Sequence, residues 1–315
     1  NFADDVRFSF RMLPSEVVLQ DLSAFVPAFK PFKEKLRLET EADGTVNQLN
    51  CPKLLISADN HFLLKGDVSL QDLSHPQDAY IFGNLSNLYA DPDGIAFFVR
   101  NLSKDYKGVP PALQHLGTIS FRGEISGYFT DLVTYGEVRT DIGTVKTDVK
   151  FSSDKEKGYF SYSGAVKTAE FELGKLLAND KFGKVTFNMD VKGSHYAKRY
   201  PSVTMKGLVA SIDYSDYTYE NITLDGEYKQ GGFNGNVSFD DENGAIQLNG
   251  SINTAGKIPT FNFRADVDHF RPNTLHLTPK YKDTEISVKI KADFTGSSIN
   301  DMNGEINIDS LQYTA

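Results

Sequence analysis

Apolar residues recur at every second position through most of this chain, and that period leaves little room for anything but strands. Val6, Phe8, Phe10 and Met12 alternate with Arg7, Ser9 and Arg11. Phe62, Leu64, Gly66, Val68 and Leu70 share one phase, as do Val185, Phe187, Met189 and Val191, and then Ile286, Val288, Ile290, Ala292 and Phe294. Side chains alternate between the faces of a strand, so each run has one apolar face and one wet face. That pattern fits antiparallel sheet wetted on one side rather than parallel strands buried on both. Turn-forming pairs separate the runs at Asp43-Gly44, Asp93-Gly94, Gly231-Gly232 and Asn243-Gly244. Helical pattern is confined to short stretches near Asp21 to Phe29, Pro111 to Leu116 and Leu173 to Leu177. The expectation is an all-β chain, well over half strand against a usual ~20–25%.

A second regularity lies inside the strands. A glycine stands midway between two apolar residues of the same phase in Leu64-Lys65-Gly66-Asp67-Val68, and the pattern returns at Gly123, Gly164, Gly207, Gly226, Gly235, Gly250 and Gly304. Two looser matches, around Gly83 and Gly127, place an aromatic on the opposite face. The spacing is irregular, which excludes a coil-by-coil solenoid. Glycine inside a strand loses packing and marks a bend or a close approach. These eight glycines are therefore expected to let a long sheet curl over its own apolar face. From Tyr135 to Phe151 the apolar phase switches near Gly143, so a tight turn or bulge belongs there, with Val138 on one arm and Val145, Val149 and Phe151 on the other pointing to one side.

Charge and chemistry narrow the function. Lys plus Arg is 33 against 42 Asp plus Glu, a net charge of -9, which argues against nucleic acid and against broad docking on anionic lipid headgroups. The one cysteine, Cys51, cannot form an intramolecular disulfide. No run approaches the ~18 apolar residues of a transmembrane helix, and no signal-peptide core opens the chain. The chain reads as a segment or processed product of something larger. Asp240 with Asp241 and Asp91 with Asp93 sit in turn-like sequence, and Asp91-Pro92-Asp93-Gly94 lacks the closing ligand of a calcium loop. None of His61, His75, His115, His195, His269 and His276 makes a close metal-spaced pair. No phosphate loop, dinucleotide fingerprint or nucleophile elbow is present. Asn-X-Ser/Thr sites occur at Asn84, Asn101, Asn221 and Asn236, and matter only in a eukaryotic secretory setting. The reading is of a protein that is not an enzyme and carries no metal or cofactor. Its signal is an apolar face fed by 23 Phe and 15 Tyr.

The order of segments resembles the bacterial AsmA-like superfamily, and within it the TamB-type translocation and assembly proteins of the Bacteroidota. The matching stretches are Leu116 to Gly123, the Val138 to Phe151 pair, Leu173 to Leu177, Gly183 to Phe187, Tyr219 through Gly250, and Pro259 to Phe263. They cover about two thirds of the chain and are weakest before residue 110. The resemblance implies a strongly curved, mostly antiparallel sheet rolled into a taco-like groove with an apolar interior. It divides the chain into an N-terminal β segment, 1–110, continuous with a groove segment, 111–315. It implies a periplasmic location, an inner-membrane anchor outside this segment, an outer-membrane barrel-assembly protein as partner, and phospholipid or another acyl chain as ligand.

The expected lining follows the apolar phases: Val138, Val145, Val149 and Phe151, then Val185, Phe187, Met189 and Val191. Further along come Ile222, Leu224, Phe233, Val237 and Phe239, and last Ile246, Leu248, Phe261 and Phe263. The leading reading is a non-enzymatic lipid conduit between inner and outer membranes. One alternative is a scaffold that offers strand edges to outer-membrane proteins during assembly. Another is a carbohydrate-active or adhesive β protein, which would show clustered exposed aromatics and a carboxylate cleft.

Overall fold

Antiparallel register joins almost every strand to the next in the chain, so the alternation of the sequence is realised as a meander. The computed structural model describes residues 2–23, 30–75, 78–102, 108–154, 158–196, 202–280, 282–298 and 300–314. Strands make up 68% and the helices are few and short. Two compact units divide the chain, Asn1–Ser153 and Asp154–Ala315. The segment boundary expected at residue 110 falls inside the first.

The first unit opens with α1 (Phe2–Asp5), β1 (Phe8–Val18) and a 3-10 turn at Leu19–Leu22, followed by β2 (Lys35–Thr45), β3 (Gln48–Ala58), β4 (Phe62–Gln71) and β5 (Tyr80–Ala90). Two helices intervene, α2 (Pro92–Leu102) and α3 (Pro111–His115). The unit then closes with β6 (Ile119–Tyr128), β7 (Asp131–Thr140) and β8 (Gly143–Asp154). Register puts Leu54, Gly66, Leu85, Gly123 and Gly136 side by side across β3 to β7, so one apolar face runs through all of them. Val68, Leu85 and Phe121 are buried in its middle, with Leu64, Ile125 and Val138 packed against them. At one end Leu19, Phe32 and Leu36 make a second cluster with Ile56, Ala58 and Phe97 of α2. Cys51 is buried on the same face, opposite Val68, and burial pushes its thiol pKa up.

The second unit runs β9 (Tyr159–Glu172), α4 (Leu173–Leu177), β10 (Phe182–Tyr196), β11 (Ser202–Tyr214), β12 (Tyr217–Lys229) and β13 (Gly232–Asp241). It continues with β14 (Gly244–Asn253), β15 (Thr260–Phe270), β16 (Glu285–Thr295) and β17 (Asn303–Thr314). Every consecutive pair from β9 to β17 is antiparallel. Where a strand carries an extra residue, its phase is reset. In β15 the register shifts between Val267 and Phe270, and His269 takes a left-handed conformation (φ 38°) there, so Val267 and Phe270 both face apolar partners, Val288 and Ile286.

Three local expectations are corrected. Asp93-Gly94 is not a turn between strands but the first turn of α2: the Asp91 carboxylate accepts the Gly94 amide at 2.8 Å, the geometry of a helix cap. Asp43-Gly44 lies within β2, and the chain turns after it, at Val46 and Asn47. Of the helical stretch from Asp21 to Phe29, only a 3-10 turn ending at Leu22 is observed, and 24–29 lie outside the described residues. The helices at Pro111 and Leu173 and the turn before Gly143 are where the sequence puts them.

Candidate ligand-binding face

Register places the expected lining residues of each unit on one face. In the first unit Val138 stands opposite Val145, Phe151 opposite Leu132, and Val149 lies between on the same phase. In the second unit the partners fall into rows across the strands. One row is Phe187, Val209, Ile222, Phe239, Ile246, Val267, Val288 and Leu311. The next is Met189, Gly207, Leu224, Val237, Leu248, Ala265, Ile290 and Ile308. A third is Val191, Met205, Gly226, Gly235, Gly250, Phe263, Ala292 and Ile306. A fourth brings Phe233 to Ile252, Phe261 and Phe294, the last two rings stacked at 4.7 Å. Val185 belongs to the same face and is buried opposite Phe171.

The units differ in how well this face is sealed. Among the described residues, fifteen hydrophobic side chains are buried in the first unit and five in the second: Phe171, Val185, Phe239, Leu275 and Ala292. The remaining second-unit lining residues are half-buried. One end is covered. The segment between β15 and β16 brings Leu275 to 0% exposure, and the Tyr219 hydroxyl donates to the Leu275 carbonyl at 2.7 Å. Beside it the Tyr217 hydroxyl donates to Asp241, and its pKa is pushed up to about 12 by burial and then by that carboxylate. Asp241 also accepts the Asn243 amide, so it ties the β13–β14 turn.

All eight pattern glycines lie on the apolar faces. Gly226, Gly235 and Gly250 stand directly opposite one another on three successive strands. A Cβ on Gly235 would lie 2.4 Å from the Asp225 carbonyl oxygen and 2.4 Å from the Gly226 Cα. The Phe233 ring occupies the space a Gly226 side chain would need, 2.5 Å from its would-be Cβ. Glycine here admits both the close approach of strands and an aromatic ring laid over the backbone.

The opposite face is polar and hollowed. A depression of about 750 Å³ on the second unit is lined by Asn236, Asn249, Arg264, Asp266, Lys289 and Lys291 among others, with Lys289 and Asp266 paired at 2.8 Å. A twisted sheet is saddle-shaped, so both faces gain concavity.

One cluster was invisible in the sequence because its members are thirty residues apart. His61 Nδ1 lies 2.7 Å from Asp91 and 3.8 Å from Asp93, and the three groups could converge on a cation. The His61 pKa is raised by its hydrogen bond to Asp91. Asp91 is already committed as the cap of α2, and the positive end of that helix disfavours a metal ion there.

Among the described residues no helix is long and apolar enough to cross a membrane. No protein-family model matches the chain, and neither does any characterised protein or solved structure.

Proposed function

We propose that the apolar face of the second unit shields lipid acyl chains, and that the chain is a non-enzymatic segment of a periplasmic conduit between inner and outer membranes. One observation carries the ligand. Eight consecutive strands, β10 to β17, present continuous apolar rows, yet among the described residues only five hydrophobic side chains in that unit are buried. A face of that kind gains by covering itself, and each methylene laid on it is worth ~0.8 kcal/mol. An acyl chain of about 16 carbons gains on the order of 10 kcal/mol before entropic costs, while its headgroup stays wet at the rim. The periplasmic setting, the anchor and the barrel-assembly partner rest on the family resemblance alone. A photo-crosslinking residue tests the ligand. At Leu224 or Phe263 it should capture radiolabelled phospholipid, and at Thr223 or Asn262, on the wet face, it should not. Equal capture at all four positions would defeat the assignment.

The strand-edge reading has one observation in its favour. All twelve residues of β17 are exposed, as on a strand at the margin of a sheet. A scaffold would use this edge and leave the apolar face idle, so the same crosslinks would yield no lipid.

A further inference from the structure

The wet face of the first unit carries a cluster of exposed apolar and aromatic side chains, where the strands of the second unit, among the described residues, expose Leu208 on that side. Across β4 to β8 the register forms a lattice of outward-facing residues. Its first row is Gln71, Tyr80, Tyr128, Asp131 and Ser152. The second is Ser69, Phe82, Ser126, Val133 and Lys150. The third is Asp67, Asn84, Glu124, Tyr135 and Asp148. Four apolar or aromatic side chains here stand in water: Phe82 is 46% exposed, Tyr128 48%, Val133 37% and Tyr135 63%. The equivalent row of the second unit, Lys206, Asp225, Asn236, Asn249, Arg264 and Lys291, has no such residue. Phe82 and Tyr128 are also the two aromatics that sit out of phase beside Gly83 and Gly127 in the sequence.

The patch has a polar half. The Tyr80 and Tyr128 rings meet edge to face at 5.3 Å. They form one wall of a depression of about 630 Å³ whose other walls are Gln71, Asp72, Asp78, Thr130 and Asp131. The Tyr128 and Tyr135 hydroxyls and the Ser126 hydroxyl have no hydrogen-bond partner among the described residues. Within the lattice Lys150 is the one cation, and it is paired with Asp131 at 2.9 Å.

We infer that this face binds a neutral glycan chain. Aromatic rings offer an apolar, electron-rich surface to the C–H face of a sugar ring. Ionised carboxylates only accept hydrogen bonds, so the ligand must donate, as sugar hydroxyls do. Asp67, Glu124, Asp131 and Asp148 repel phosphate and other anions. A purely apolar ligand would strip water from these carboxylates without replacing it. Five strands span about 19 Å, which suits an extended oligosaccharide better than a single sugar. The inference is independent of the acyl-chain reading, because it concerns the wet face of the first unit, and that reading the apolar face of the second.

The test is calorimetric titration of the 315-residue chain with hexasaccharides of β-linked glucose and of β-linked N-acetylglucosamine. Binding of at least one is expected. Tyr128→Ala and Tyr135→Ala should each weaken it at least ~10-fold, and Leu208→Ala, exposed on the wet face of the second unit, should leave it unchanged. Both tyrosines are exposed, so the thermal midpoint should hardly move and loss of binding can be read as loss of contact. Absence of binding to both hexasaccharides, binding that survives the double tyrosine variant, or binding of a lysine-rich peptide in their place would each overturn the inference.

Discussion

Aspartate at Phe187, Val237 and Phe263 together should cut the acyl lipid held by the chain at least ~10-fold while the chain stays folded. The three positions lie in three different rows of the second unit's apolar face. All three are half-buried, and none belongs to the five sealed positions. Losing a half-covered Phe or Val forfeits part of the ~1.5–3 kcal/mol of full burial. A carboxylate at such a position keeps its water while the face is empty. An acyl chain arriving over it must strip that water, at a cost of several kcal/mol per charge, and ~1.4 kcal/mol is already tenfold in affinity. The loss in lipid binding should therefore exceed the loss in stability. Asn188, Asn234 and Asn262 lie on the wet face of the same strands, and the same charge placed there by Asn→Asp should change neither. Should the triple variant unfold, Val237→Asp alone carries the test. A folded Val237→Asp chain that holds lipid as well as the parent would refute the ligand assignment.

Alanine at Gly235 or Gly250 should destabilise the second unit by about 3 kcal/mol each, in a fold where an exposed substitution costs under ~0.5. Gly250 has φ +143°, and a Cβ there would stand 2.2 Å from the Asn262 carbonyl oxygen and 2.5 Å from the Phe263 Cα. Gly235 has φ +157° and meets the backbone of β12. Backbone cannot swing aside as a side chain does, so the strands must part. Gly83 supplies the contrast. It lies on the apolar face of the first unit, and its nearest neighbours are side-chain atoms of Leu85 and Val68 at 3.6 Å. Gly83→Ala fits that gap and removes the entropic cost of glycine in a strand, so it should be neutral or stabilising by up to ~1 kcal/mol. Thermal or urea unfolding of the three variants reads the order directly. Equal effects at all three would mean that the pattern glycines are incidental.

The faces were legible in the sequence because a period of two needs no knowledge of the partner strand. Val138 with Val145 and the run from Val185 to Val191 fall where alternation puts them. What alternation cannot show is cover. The first unit's apolar face is sealed partly by residues outside the strands, Leu19, Phe32 and Phe97, while the comparable face of the second unit is left half-open. Helix α2 was missed because a helix start and a tight turn draw on the same residues: Asp91 as cap, Pro92 in the first turn, Asp93 and Gly94 after it. The phase resets at Glu170 and His269 depend on which strand lies alongside, and nothing in either residue announces a left-handed backbone. The exposed aromatics of β5 to β7 were readable only as exceptions to the glycine pattern, at Phe82 and Tyr128.

Native mass spectrometry of the purified chain, with extraction and identification of what leaves it, reads whether the apolar face of the second unit holds lipid. Phospholipid should be released in a defined stoichiometry, and should be lost in the Phe187, Val237 and Phe263 triple aspartate variant. A stable, lipid-free monomer that takes up no phospholipid from vesicles would contradict the ligand assignment, and would mean that the apolar face of the second unit serves the chain's own packing alone.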